Sequence, residues 1–489
     1  MPVAPNKSII YILVLVCIIS RIPQLVSDNL LLDGDECVVA IMAKHMLQGK
    51  AITPYFYGQS YGFSLIECLL IVPFYLLLGF STVAVKLAML ALWTTGVILL
   101  YKALELFNKG NSKLPILLIL VFIWSPAWAV WSMKARGGYL TSFATTSALL
   151  FLLFNPKKTP SSYLLIGLLC CLIFESQPLW IPGLLPLLAG HFLIEKKISN
   201  LIRFLAPIVV IFTGLHFYKQ SLPSFGQIPF FMPTGAELSS AITRLPNFLY
   251  YSLHGNYFFN EIQQPNFFCA FIAVVWSLVV VLILLIAAYN IIRRKAGTAI
   301  FNYSALSLLL CLGYTIFSVY YQPRYLLPLS GYTLLSLILL FNLRPVRMGI
   351  LAPAFVTTMV AGIVSVITFY DFQFSTIREK KLTDALHKLS DQGIHYAFSN
   401  DNLFTWQVLF YSNEDILCRE RLIPGRYPAY QRKIDSAYSH GAKTAYIAYP
   451  LYPPAFEFKT YFFINEYLVA PDPPARIILP NFPASPIRP

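Results

Sequence analysis

Apolar runs of about 18 or more residues recur about ten times along this chain, and each is long enough to cross the roughly 30 Å hydrocarbon core of a bilayer. Most of the chain therefore belongs to one integral bundle of membrane helices. The balance of residues agrees: of 489, 57% are hydrophobic and 12% charged, with a mean hydropathy of +0.64, against roughly 25% charged residues in soluble domains. The first run, Ser8 to Val26, lacks a small-residue cleavage site and reads as an uncleaved first helix.

The net charge of +14 does not point to nucleic acid as a partner, because Lys and Arg gather in short connections between apolar runs, where the positive-inside effect explains them. Lys7 before the first span predicts a cytoplasmic N-terminus, with residue 27 onward outside. The next run, Phe63 to Gly79, is short, carries Glu67 and is followed almost at once by a better span from Thr82 to Leu104. Read as a juxtamembrane helix, it leaves Lys102, Lys109, Lys113, Lys157, Lys158, Lys196, Lys197, Arg203, Arg293, Arg294, Lys295, Arg344 and Arg347 on the cytoplasmic side. Read as a span, it sends all of them outside. Charge bias selects the first version.

Spans are then expected at roughly 8–26, 82–104, 114–131, 139–154, 162–178, 179–194, 200–218, 268–292, 299–320, 325–342 and 349–371. The expected fold is an α-helical polytopic membrane protein of about eleven transmembrane helices, with juxtamembrane helices in the first outer loop and a small C-terminal α/β extracytoplasmic domain. Residues 1–371 form the transmembrane domain, with outer loops 27–81 and 219–267. Residues 372–489 form the outer domain. There Leu382, Ala385, Leu386 and Leu389 mark a helix ending at Gly393, with a strand over 394–398, helical stretches over 406–411 and 430–438, a strand over 444–449 and a Pro-rich tail from Pro471.

The chemistry is expected at the first outer loop, which opens on Asp33-Gly34-Asp35-Glu36 before an amphipathic helix, Val38 to Leu47. A carboxylate held there suits a general base or a divalent-cation ligand. The same pattern also serves as a plain helix cap. Downstream lie Tyr57-Gly58-Gln59-Ser60-Tyr61, Glu67 and, just inside the second span, Lys86.

These residues, with Ala43-Lys44-His45-Met46-Leu47-x-Gly49-Lys50, resemble the GT-C superfamily of membrane glycosyltransferases, the group that contains protein O-mannosyltransferases and the lipid A aminoarabinose transferase. Arg136-Gly137-Gly138-Tyr139, Arg324-Tyr325-Leu326-x-Pro328-Leu329 and Arg426-Tyr427-Pro428-x-Tyr430 extend the resemblance along the chain, particularly to its prokaryotic branches. It implies inverting transfer of a sugar from a polyprenyl-phosphate donor to an acceptor outside a plasma (inner) membrane. Asp35 matches the catalytic Asp, and Glu36 its supporting neighbour.

A leaving phosphate needs cations, and Arg324 with Tyr325 is the first candidate; Lys134 and Arg136 follow, with interface anchoring as the competing role. Lys86 is expected to pair with Asp35 or Glu67, or to snorkel. Glu67 is a second acidic candidate, and Tyr57, Gln59 and Tyr61 are candidate substrate contacts. Glu175 is a further intramembrane carboxylate. Between Ser132 and Thr141 there is no second Asp of the kind such transferases often carry, so metal dependence stays open. His45 and His254 lack ligand spacing, no metal site is assigned, and no other cofactor is implied. Tyr250, Tyr251, Tyr257, Phe258 and Phe259 suit an aromatic belt or a sugar platform. Two other classes compete: a transporter or flippase for polyprenyl-linked sugars, and a sensing domain on a membrane anchor. The candidate groups gather at one face, whereas a transporter needs polar helices near the midplane.

Overall fold

The computed structural model describes residues 7–27, 30–108, 113–220, 234–243, 267–295, 297–316, 323–344, 347–370, 377–399, 401–421, 425–448, 462–464 and 467–470. Each expected span coincides with helix: Lys7–Ile19, Thr82–Phe107, Leu114–Ile123 with Pro126–Trp131, Tyr139–Phe154, Pro160–Ser176, Ile181–Glu195, Ile198–Gln220, Phe267–Ile292, Ala299–Ile316, Leu327–Leu343 and Met348–Tyr370. Among the described residues, 6 helical segments are long and apolar enough to cross a membrane by length and composition, and the others are shorter apolar helices.

One expected span is two helices. The run 114–131 breaks at Trp124-Ser125, with Pro126 opening the second helix, because proline has no N–H to continue the ladder. The Ile123 carbonyl at the break is taken by Arg21 Nη2 at 2.8 Å, while Arg21 Nε donates to Ser132 Oγ at 2.6 Å. The same guanidinium stacks 4.2 Å over Trp93. A buried cation thus supplies the donor that an orphaned helix end lacks.

Helix Leu65–Leu78 has 14 residues, and at 1.5 Å per residue it reaches about 21 Å, short of the roughly 30 Å core. It buries Glu67, Cys68, Ile71 and Tyr75 and exposes Leu69, Leu76 and Leu77, as a helix lying along a membrane surface does.

The C-terminal region folds around a 5-stranded sheet: β1 (Tyr396–Ser399), β2 (Leu417–Glu420), β3 (Thr444–Ala448), β4 (Phe462–Ile464) and β5 (Tyr467–Ala470), in the order β2-β1-β3-β5-β4. The first three are parallel, with Ala397 opposite both Cys418 and Ala445; β5 and β4 add antiparallel. The chain crosses from β1 out to β2 and then from β2 back past β1 to β3, and these opposite directions put helices Asn402–Tyr411 and Pro428–Ser439 on opposite faces. Alternation along β2 agrees: Cys418 meets Thr405 on the first helix, and Arg419 Nε stands 2.9 Å from Asp435 on the second. Helix Ile377–Asp391 buries Leu382, Ala385, Leu386 and Leu389 and ends before Gly393, at φ 75°.

This sheet unit is seated on the segment that follows the first membrane helix. The Leu32 N–H donates to the Tyr411 hydroxyl at 2.8 Å, and Gln407 Nε2 donates to the Leu32 carbonyl at 2.7 Å. A Cβ on Gly34 would stand 2.1 Å from the Leu403 carbonyl oxygen, so only glycine lets the two backbones meet there. Lys44 Nζ reaches Glu414 at 2.6 Å, and His45 meets Tyr57 at 2.9 Å, Tyr430 at 2.7 Å and Glu414 at 3.0 Å. Burial works against the Glu414 charge, yet hydrogen bonds from His45, Lys44 and Tyr430 hold its carboxyl well below the usual range.

Candidate active site

The site is organised by the first turn of helix Gly34–Leu47. Asp33 caps it: Asp33 Oδ1 accepts from the Glu36 N–H at 3.0 Å, and Glu36 Oε2 accepts from the Asp33 N–H at 3.2 Å. This reciprocal box satisfies two free donors and locks both side chains, leaving one oxygen of each turned elsewhere. Asp33 Oδ2 takes Lys134 Nζ at 2.8 Å, and Glu36 Oε1 takes Lys86 Nζ at 2.6 Å. Burial alone would raise the Asp33 carboxyl, but Lys134 and Arg136 override it and hold it well below the carboxylate range.

Asp35, between these two, is held by two guanidinium groups. Arg136 Nη2 lies 2.8 Å from Oδ2 and Arg426 Nη1 lies 2.9 Å from Oδ1. The first comes from the turn before helix Tyr139–Phe154, the second from the sheet unit. Arg324 joins them through aromatic rings: its guanidinium lies 6.0 Å from the Trp131 ring, on which Arg136 also sits at 5.7 Å, and 5.7 Å from Tyr325. Tyr61 completes the group. Burial raises its phenol, and its charged neighbours are Arg426, Asp35 and Arg324, beside Tyr325.

Asp35, Glu36, Lys86, Lys134, Arg136, Arg324, Tyr325 and Tyr61 therefore come together. The expected partner of Lys86 is corrected: it is Glu36, not Asp35 or Glu67. Glu67 lies behind the site, fully buried, with Oε1 accepting from the Gly138 N–H at 3.0 Å and Oε2 without a hydrogen-bond partner among the described residues. Burial pushes its carboxyl up to about 8; the Gly138 bond opposes this and the charge of Glu36 adds to it. It thus fixes the Gly137-Gly138 turn, at φ 60° and 86°, from which Arg136 projects. Tyr57 turns to His45, and its ring packs 4.8 Å from Tyr427, so it belongs to the docking surface. The Gln59 N–H closes a turn on the Phe56 carbonyl at 3.0 Å.

Glu175 forms a separate cluster, accepting from the Tyr55 hydroxyl at 2.7 Å and pairing with Lys219 at 2.5 Å. His254 and the aromatic residues from Tyr250 to Phe259 lie outside the described residues. No group of three or more His, Cys, Asp or Glu side chains suited to a metal occurs among the described residues. The residue that sequence reasoning passed over is Arg426. Its only sequence signal was the Arg-Tyr-Pro-x-Tyr motif, far from Asp35 in the chain.

The fold has a solved counterpart. The crystal structure of ArnT from Cupriavidus metallidurans in the apo state aligns over 95% of this chain and 97% of that chain, at 11% sequence identity and a TM-score of 0.58. A crystal structure of ArnT from the same organism bound to undecaprenyl phosphate aligns over the same shares at 11% identity and a TM-score of 0.47. No protein-family model matches the sequence, and no curated protein matches it. The chain has the fold of that apo ArnT structure.

Proposed function

We propose that this protein is an inverting glycosyltransferase that moves a sugar from a polyprenyl-phosphate donor to an acceptor hydroxyl on the extracytoplasmic side of the membrane. The observation that carries the reading is the position of Asp35. In a GT-C fold it is a carboxylate on the first turn of a loop helix, flanked by Arg136 and Arg426 and sharing Tyr61 as a neighbour with Arg324. The transmembrane domain over 1–371 supplies most of these groups, and the outer domain over 372–489 supplies Arg426. The N-terminus is then cytoplasmic.

In this mechanism the acceptor oxygen attacks the anomeric carbon from the face opposite the phosphate. The new C–O bond forms as the old one breaks, the acceptor's proton passes to the Asp35 carboxylate, and polyprenyl phosphate leaves with the electron pair. Arg324 stabilises the charge that grows on that phosphate, where a preorganised cation acts most strongly. Glu36, locked by the capping box and Lys86, holds the helix start in register. Proton transfer at a positioned base contributes about 10²–10⁴-fold. Asp35→Asn should therefore lose transfer by at least about 10²-fold while expression and membrane insertion persist, as measured with purified protein and a polyprenyl-phosphate sugar. Turnover at the wild-type rate would remove Asp35 from the role of base.

A further inference from the structure

Among the described residues, Arg426 is the one cation at Asp35 that does not come from the membrane bundle or its loops, and its placement is fixed from several sides. It precedes helix Pro428–Ser439, where Tyr427 is the N-cap and Pro428 opens the helix. The neighbouring Gly425 N–H donates to Gln431 Oε1 at 3.0 Å. Its guanidinium lies 4.9 Å from the Phe56 ring. Its Cα abuts Gly58, where an added Cβ would come within 2.8 Å. The tip makes a single hydrogen bond among the described residues, Nη1 on Asp35 Oδ1 at 2.9 Å, and the side chain remains 16% exposed. A guanidinium carries several further N–H donors in a planar fork that matches a phosphate.

The pairing has a cost for chemistry. Each Asp35 oxygen already accepts from a guanidinium and keeps one further lone pair, so an acceptor hydroxyl must share its oxygen with a cation unless one guanidinium withdraws. Arg426 and Arg324 are both charged neighbours of Tyr61, which puts a second guanidinium on the same tyrosine as the cation assigned to the phosphate.

We propose that Arg426 is a ligand for the donor phosphate, delivered by the C-terminal domain, and that it exchanges Asp35 for that phosphate when the donor binds, which frees the base. This rests on the proposed transfer from a polyprenyl-phosphate donor. It makes the C-terminal domain a part of the donor site and couples donor binding to activation of Asp35.

The test is binding of undecaprenyl phosphate to the detergent-purified full chain, followed by tryptophan fluorescence, for wild type, Arg426→Gln, Asp35→Asn and the double variant. Charge-assisted hydrogen bonds predict at least about 10-fold weaker binding for Arg426→Gln, with Arg426→Lys between it and wild type. Asp35→Asn should tighten binding several-fold, because the competing carboxylate is gone. That gain should fall below about twofold in the Arg426→Gln background, since the two effects share one guanidinium. Unchanged affinity in Arg426→Gln, or an equal gain from Asp35→Asn in both backgrounds, overturns the proposal. If Arg426→Gln does not fold, Arg426→Lys takes its place in the cycle with the same criteria. If wild type itself does not bind the lipid phosphate, the transferase reading fails first and this inference with it.

Discussion

Lys86 Nζ lies 2.6 Å from Glu36 Oε1, and both side chains are only 1% exposed. This buried pair ties helix Thr82–Phe107 to the first turn of helix Gly34–Leu47. Removing one partner strands the other charge, which costs about 3–5 kcal/mol. Glu36→Gln and Lys86→Met should each lower the melting temperature in detergent. The double variant Glu36→Gln/Lys86→Met, which keeps a side-chain oxygen for the Asp33 N–H, should recover most of that loss, and single variants that melt like wild type would contradict the pairing.

Glu67 predicts a pH dependence of stability. Its folded pKa, about 8, lies above the ordinary value of 4.5, so the folded state holds a proton that the unfolded state releases earlier. The contribution is fully present below about 4.5 and is lost as pH rises through about 8. Glu67→Gln mimics the neutral acid and should remove this decline. The difference in melting temperature between wild type and variant should grow in the variant's favour from pH 5 to pH 8, and parallel curves would refute it. Glu67→Ala leaves the Gly138 N–H unmet, at about 1–3 kcal/mol.

Gly58 and Gly49 form a matched pair. Both have left-handed backbones, at φ 72° and 66°, but Gly58 abuts Arg426 whereas Gly49 has nothing within 4 Å. Alanine at either position costs about 1–2 kcal/mol from the backbone. Only Gly58→Ala should also loosen the C-terminal domain, seen as faster proteolysis after residue 371 and at least about a 10-fold loss of transfer. Equal behaviour of the two variants would show that the contact is not needed.

Arg324 tests the leaving-group assignment. Arg324→Ala should weaken donor binding or turnover by about 10-fold or more, and Arg324→Lys should not restore it fully, because a lysine lacks the planar fork that stacks on Trp131 and Tyr325. Wild-type kinetics in Arg324→Ala would take it out of the site.

The spans and the α/β elements were legible because each rests on a local signal, either a run of apolar residues or a helical repeat such as Leu382, Ala385, Leu386 and Leu389, whereas the break before Pro126 lay hidden inside one apolar run. The capping pattern at Asp33 and Glu36 was legible for the same reason. Which carboxylate Lys86 meets was not, because Asp35 and Glu36 are adjacent in sequence yet point about 100° apart on a helix, and packing alone selects between them. Arg426 was out of reach because its contact with Asp35 spans |i−j| = 391. Glu67 read as a reactive acid because sequence does not show burial, and burial is what turns it into the support of the Gly138 turn.

The close approach of Gly34 to Leu403 has a consequence for engineering. The helix that presents Asp35 starts against the backbone of the C-terminal domain, so loop and domain are two halves of one mould. A chimera that exchanges the domain alone would misplace the helix start, and a working graft must carry residues 27–81 and the domain together.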